Sequence, residues 1–373
     1  VATLAMNAAQ AAPTLYGKLN VTLDNIDNNG FKDESVIKVN SNASRIGVKG
    51  EEKLTDNLSA VYLAEWEISA DGDGDVFKNR NRFVGIKSNG VATLKVGQHD
   101  SYFKTAAGNN QDIFNDHNEL DMTAVLAGED RPKNIIGFET DKKLLGGLAF
   151  NIMFQQGENA ATSATAKTST TSLAGVTKET TVVTNYGLKD ARDGFGDGVS
   201  ASLTYENKDM GLAAAVAANR AIASKFNAYD LSGIYTDAVR VTGSLDLGAM
   251  GASGLVLGAL WQTAKPTDDV VAVITTTKET NKPDTVKNNS FKGLKEDAYG
   301  VTAAYAIPST PVKLKAQYIS ATTEVDGMKD RQQDLYGVGA DYQINKQARF
   351  YGIVAQQKRD WLTKDDKKTN IGL

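Results

Sequence analysis

The stretch Tyr299-Gly300-Val301-Thr302-Ala303-Ala304-Tyr305 places Tyr, Val, Ala and Tyr at every second position, with small residues and a threonine between them. Side chains along a strand point alternately to opposite faces, so a period of two splits the stretch into two surfaces. One surface is apolar and ends in a tyrosine at each side. The pattern recurs along the chain. Leu15, Gly17, Leu19, Val21 and Leu23 alternate with Tyr16, Lys18, Asn20, Thr22 and Asp24. Val199, Ala201, Leu203 and Tyr205 oppose Ser200, Ser202, Thr204 and Glu206, and Tyr336, Val338, Ala340 and Tyr342 oppose Leu335, Gly337, Gly339 and Asp341.

An apolar face bounded by aromatics is what a lipid-facing strand requires, because amphipathic rings settle at the two headgroup levels. A soluble sandwich also alternates, but has no reason to put aromatics at both ends of its buried face. The opposite faces here are small or charged and suit a wet lumen better than a packed core.

Composition narrows the alternatives. The chain has 373 residues, no cysteine, six prolines and 34 glycines. That excludes a disulfide framework, a thiol nucleophile and a thiolate metal site. A net charge of −4 with no basic block makes nucleic acid an unexpected partner. No apolar run reaches the roughly 18–20 residues of a spanning helix, yet barrels cross a bilayer without one. Residues 1–12 (VATLAMNAAQAA) resemble the tail of a secretory signal peptide. Residues 13–373 then read as one barrel with no linker.

Short connections fall at 55–57, 88–90, 141–147, 208–210, 248–254, 308–311 and 344–346. Long polar ones fall near 70–79, 99–131, 157–196, 265–297, 324–331 and 359–368. Short turns at one rim and long loops at the other describe an all-β, transmembrane, antiparallel up-and-down β-barrel with periplasmic turns and external loops. The expected strand count is 16. Two places strain it. The stretch 226–247 is long for one crossing and carries Asp237 on its apolar face; continuity of the odd-numbered apolar positions favours one tall strand over a turn there. Thr369 to Leu373 begins a strand too short to span, so the last strand reads as truncated. The Ala/Thr/Ser-rich stretch 160–184 reads as a low-complexity external loop.

Ser44-Arg45-Ile46-Gly47-Val48-Lys49-Gly50-Glu51, followed by a turn and Ala64-Glu65-Trp66-Glu67, resembles the second and third strands of Gram-negative general porins. Arg80 to Lys87 (RNRFVGIK) and Val91 to Gln98 (VATLKVGQ) resemble the strand pair leading into that family's constriction loop, and Tyr16-Gly17-Lys18 resembles its opening strand. Order and spacing match over about the first 140 residues. The resemblance implies a homotrimer in outer-membrane lipid and lipopolysaccharide, each barrel passing small hydrophilic solutes and ions. It also implies a third loop folded into the pore. Here that loop is about Asp100 to Asp130, with the acids Asp112, Asp116, Glu119 and Asp121. Lys18, Arg45 and Arg80 occupy the motif positions of the facing basic wall, and Arg82 and Arg131 are additions by position. The loop lacks the Pro-Glu-Phe-Gly signature of the best-known trimeric porins.

The charge pattern supports the wall independently. Arg45, Gly47, Lys49 and Glu51 share one face and Ile46 and Val48 the other. A charge facing lipid costs roughly 2–4 kcal/mol at the midplane, so the charged face must look inward. The same logic puts Lys18, Lys95, Lys313 and Lys315 in the lumen, with Glu65 and Glu67 beside them.

Sharper chemistry finds little support. His99 and His117 read as polar loop residues, with neither nucleophile nor ligand spacing around them. Asp71-Gly72-Asp73-Gly74-Asp75 opens like a calcium loop, but the twelfth position is Arg82 where an EF-hand needs glutamate. The expectation is therefore a chain with no catalytic residues, metal site or cofactor. An adhesin, receptor or structural anchor built on the same barrel is the second functional class.

Overall fold

The computed structural model describes residues 13–27, 35–74, 77–114, 117, 121–159, 161–171, 177–280, 282–362 and 366–372. The leader at 1–12 lies outside the described residues. Two sheets account for the strands, one of 18 and one of four. In the large sheet, Thr14–Lys18 and Val21–Asp27 lie end to end and pair with Arg45–Lys53 and Ser35–Ser41. The ladder then follows chain order, always antiparallel, through Leu58–Glu67, Lys78–Ser88, Ala92–Gln98, Ile135–Thr140 and Leu148–Gln155. It continues through Gly198–Asn207, Leu212–Phe226, Leu231–Asp246, Leu255–Pro266 and Lys295–Ala306. Val312–Glu324, Arg331–Gln343, Arg349–Arg359 and Asp366–Gly372 complete it.

The last of these strands pairs with Tyr351–Gln357 on one side and with Thr22–Asp27 on the other, bringing the sheet back to its beginning. Thr14–Lys18 has Arg45–Lys49 on one side. Around it lies an opening of about 770 Å³ lined by Gly17, Lys18, Gln343, Lys346 and Arg349 among others.

The apolar parity faces outward throughout. Leu15, Leu19 and Leu23 are 69%, 68% and 54% exposed, whereas Asn20, Thr22 and Asp24 are buried inside. Val301 and Val338 are likewise exposed, and Gln317 and Gln333 buried. Aromatics stand at both ends of this outer face. Trp261 pairs with Tyr299 and Tyr318 with Tyr336 near the long loops; the Tyr318 and Tyr336 rings are 4.9 Å apart. Tyr342 pairs with Phe350 near the short turns. Tyr305 lies six positions beyond Tyr299, about 20 Å along the strand; at a tilt of roughly 35–45° that rises about 15 Å, within an outer-membrane apolar band of about 25 Å.

After Leu212–Phe226, a tight turn at Asn227–Tyr229 moves the start of the next strand from 226 to 231, and Leu231–Asp246 is then one tall strand of 16 residues with no turn at 236–237, as expected. Asp237 sits within the second strand, opposite Lys265, and accepts bonds from the Ala221 amide and the Thr267 hydroxyl, both at 2.9 Å. The low-complexity stretch lies outside the large sheet, as expected for a loop, and has strands of its own. Ser163–Thr171 and Thr177–Asn185 form a hairpin that pairs with Ala272–Glu279, which in turn pairs with Thr285–Ser290. Its threonines and valines suit strands, but the partner lies some 90 residues on in another loop, beyond the reach of local pattern.

Candidate functional site

The third long loop turns back into the ring. Its base is closed by the Ser101 amide donating to the Asp130 carbonyl at 3.0 Å. The Ser101 hydroxyl caps a short helix, Tyr102–Thr105, by accepting from the Lys104 amide. A second helical turn, Gly108–Gln111, and a 3-10 turn, Met122–Ala124, follow. Each piece is held by inward-facing polar groups of the far wall. The Phe103 amide donates to Ser200 Oγ at 3.1 Å, Thr242 Oγ1 to the Ala106 carbonyl at 2.8 Å, and Gln111 Nε2 to the Gly243 carbonyl at 2.7 Å. On the return limb, the Ala127 amide donates to Glu296 Oε1 at 2.8 Å and the Gly128 amide to Ser224 Oγ at 2.7 Å.

The strongest attachment is ionic. Arg240, wholly buried, lies 2.6 Å from the Glu129 carboxylate, stacks over the Phe103 ring at 4.3 Å and shares Gln262 Oε1. Apolar packing completes the attachment: Phe103, Ala106 and Ala127 lie against Phe226, Leu231, Ile234 and Ala264. Phe114 fills the space over Gly337, where an added Cβ would meet its ring at 2.7 Å. The buried interior is thus loop against wall, not sheet against sheet.

What stays open is a cavity of about 580 Å³. Lys18, Arg45, Arg80 and Arg131 line it, as do Asp112 and Asp121 of the loop. Asp116 and Glu119 lie outside the described residues. Arg82 is not part of this lining. One extra residue on Lys78–Ser88 makes a bulge opposite Ala64 to Trp66, and it separates two arginines that simple alternation would put on one face. Arg80 turns to the lumen, bonding Glu65 at 2.5 Å and Glu67 at 3.3 Å. Arg82 keeps the outward parity of Val84 and Ile86 and donates to Gln98 at 3.0 Å.

Further charges in the lining come from Lys104, Lys313, Lys315, Arg349, Glu67, Asp100 and Asp341. Lys313, Lys315 and Glu67 follow from alternation. Arg240 also carried that signal, between Val239 and Val241; Arg349 did not, since it shares parity with the apolar Tyr351, Ile353 and Ala355, which are buried only in the folded structure. Lys104 had none, because a loop has no period. Lys315 and Arg349 both bond Asp341, at 2.7 and 2.9 Å. Arg131 and Lys104 hold Asp100 at 2.9 and 3.3 Å.

Burial tends to raise the Asp100 carboxyl, but Lys104 and Arg131 outweigh it and hold it below its usual range. The loop acids behave oppositely. Burial, then the Asp121 charge, pushes Asp112 well up. Burial pushes Asp121 up to about 6, against the hydrogen bond from Thr123.

The two histidines lie in the loop, as expected, and both are buried. His99 is buried with its Nδ1 2.8 Å from the Asp100 carbonyl, and His117 packs edge-on to Tyr351 at 4.7 Å. In the Asp-Gly repeat, the Asp71 carboxylate accepts from the Ser41 amide at 2.7 Å and from Ser69 Oγ at 2.6 Å, bracing the turn.

A family model described as Gram-negative porin matches residues 1–361. Major outer membrane protein P.IB of Neisseria meningitidis serogroup B is 29% identical over 160 residues, covering 41% of this chain and 46% of that protein. The chain thus spans less than half the length of the curated relatives it matches. Among solved structures, the anion-selective porin from Comamonas acidovorans superposes with a TM-score of 0.66 at 17% identity, covering 97% of this chain and 98% of that one. The trimer form of OmpT from Vibrio cholerae gives 0.55 at 16%, covering 97% and 98%. At such identities these two establish a shared fold.

Proposed function

The chain belongs to the Gram-negative porin family, and from that premise we propose that it forms a water-filled outer-membrane channel for passive diffusion of ions and small hydrophilic solutes. The observation that carries this reading is the third loop pinned across the ring, beside a charged cavity of about 580 Å³.

The cavity lining holds eight bases and five acids. One of those acids, Asp112, is pushed well up by burial. The constriction therefore has a positive balance and favours anions. Lys18, Arg45, Arg80 and Arg131 supply the basic wall and Asp112 and Asp121 the facing acids. In a narrow water column this field orients dipolar solutes and disfavours apolar ones, with no bound intermediate and no chemistry. Asp116 and Glu119 belong to the same acidic loop by sequence.

The assembly is a homotrimer in outer-membrane lipid and lipopolysaccharide; a trimer form of a protein with this fold supports it. The test is planar-bilayer recording in asymmetric potassium chloride. Steps in groups of three, with a reversal potential on the chloride side, support the reading. Silent bilayers overturn it.

A further inference from the structure

A second cavity, of about 510 Å³, lies on the long-loop side of the constriction. Asp121 and Thr123 line both cavities, so the two are consecutive along the lumen. Asn227 Nδ2 donates to the Thr123 carbonyl at 3.1 Å, tying the turn at 227–229 to the constriction loop. Opposite that turn stand the ends of Arg331–Gln343 and Arg349–Arg359, followed by Trp361.

The chemistry here differs from that of the constriction. Arg331 lies over the Tyr229 ring at 4.1 Å and near the Trp361 ring at 5.2 Å, and donates from Nη1 to the Ala228 carbonyl at 2.7 Å. A guanidinium held by two rings and one carbonyl is oriented in advance, and its remaining N–H groups suit a planar oxyanion. Arg359 stands beside it, bonded to Gln357 Oε1 at 2.9 Å.

Two amides point to a ligand independently. Gln333 is 1% exposed and Gln357 8%. Among the described residues, Gln333 Oε1, Gln357 Nε2 and the Tyr229 hydroxyl have no protein hydrogen-bond partner. Buried polar atoms are normally paired, and leaving one unpaired is costly. The side chains that carry these three atoms line one cavity, whose other lining includes Ala124, Ala228, Lys225 and the carboxylates of Asp121 and Asp230.

We propose that this external vestibule is a binding site for small carboxylates bearing an aromatic ring. The carboxylate meets Arg331 and Arg359, the ring lies against Tyr229 and Trp361, and Gln333 and Gln357 accept and donate at its edge. Solute would be held here before entering the constriction. The inference rests on the channel reading only for that last step; the binding site stands on its own geometry.

The test is ligand-observed saturation-transfer NMR on the full chain refolded in detergent, with benzoate as probe, acetate as the ringless control and empty micelles as blank. The expected result is a saturable benzoate signal above the blank, with acetate weaker by about tenfold or more. Arg331→Gln and, separately, Trp361→Leu should each weaken benzoate by about tenfold, the scale of one charge-assisted bond or one buried ring contact. Equal binding of acetate, or no loss in either variant, overturns the proposal. Loss only in Arg45→Ala with Arg80→Ala also overturns it, by placing the solute in the constriction. The readout needs no conductance, so silent bilayers would count against the channel reading alone.

Discussion

The Arg240 guanidinium and the Glu129 carboxylate meet at 2.6 Å, with 0% and 6% of their side chains exposed. One belongs to the wall and the other to the loop, so the pair fixes how far the loop crosses the lumen. Two charges out of water are held together only where geometry and extra bonds compensate desolvation. Here Gln262 and the Phe103 carbonyl supply those bonds.

Arg240→Met should therefore leave Glu129 buried and unpaired. The expected cost is roughly 3–5 kcal/mol of local stability, and the loop should leave the wall. Single-channel recording should show a larger, noisier conductance, and Arg240→Met with Glu129→Gln should recover part of the wild-type behaviour. Unchanged conductance and unchanged thermal unfolding of the single variant would mean that the pair does not hold the loop.

The basic wall predicts selectivity. Arg45→Ala with Arg80→Ala removes two of eight bases lining the constriction and should shift the reversal potential toward cations. Arg82→Ala should leave it in place, because Arg82 bonds Gln98 on the outward side. Equal shifts from both variants would contradict the bulge that separates these arginines.

Acidity should tune the same field. A carboxyl raised to about 6 is charged above that pH and neutral below it. Lowering pH from 7.5 to 5 (a range chosen to bracket that midpoint) should protonate Asp121, leave the cavity more positive and strengthen anion preference. Asp121→Asn should show the stronger preference at both ends of the range. A variant that still titrates as the wild type would assign the transition to another group.

The outer face makes a stability prediction. Val338 is 58% exposed on the outward parity, so Val338→Arg should cost roughly 2–4 kcal/mol if that surface meets the bilayer midplane. Folding yield into lipid vesicles should fall sharply, while Gln332→Arg, in the partly exposed region near the external rim, should fold normally. Equal yields would show that Val338 does not face lipid.

Much of the architecture was legible because a strand has a period. Leu15, Leu19 and Leu23 against Asn20, Thr22 and Asp24 showed which side was lipid and which was lumen, and Lys18, Arg45 and Arg80 followed from the same parity together with the family's motifs. The short turns were legible for a related reason, since glycine, asparagine and proline punctuate locally. The errors fall where local rules stop. Arg82 was misplaced by a single bulge residue, the hairpin at 163–185 needed a partner from a distant loop, and the burial of the loop residues His99 and His117 depends on how the loop docks.

Alone, then, the sequence determined a two-faced barrel with charged residues turned inward, because side-chain alternation is a property of each strand taken separately. It also marked the family through short motifs near the amino end. Only the tertiary structure decided which charges meet across the lumen, how Arg240 and Glu129 pin the loop, and that Arg331 lies between Tyr229 and Trp361. Arg240 and Glu129, and Arg331 and Tyr229, are each about a hundred positions apart and join a strand to a loop or turn with no period, so these relationships exist only once the wall has curved round and the loop has docked against it.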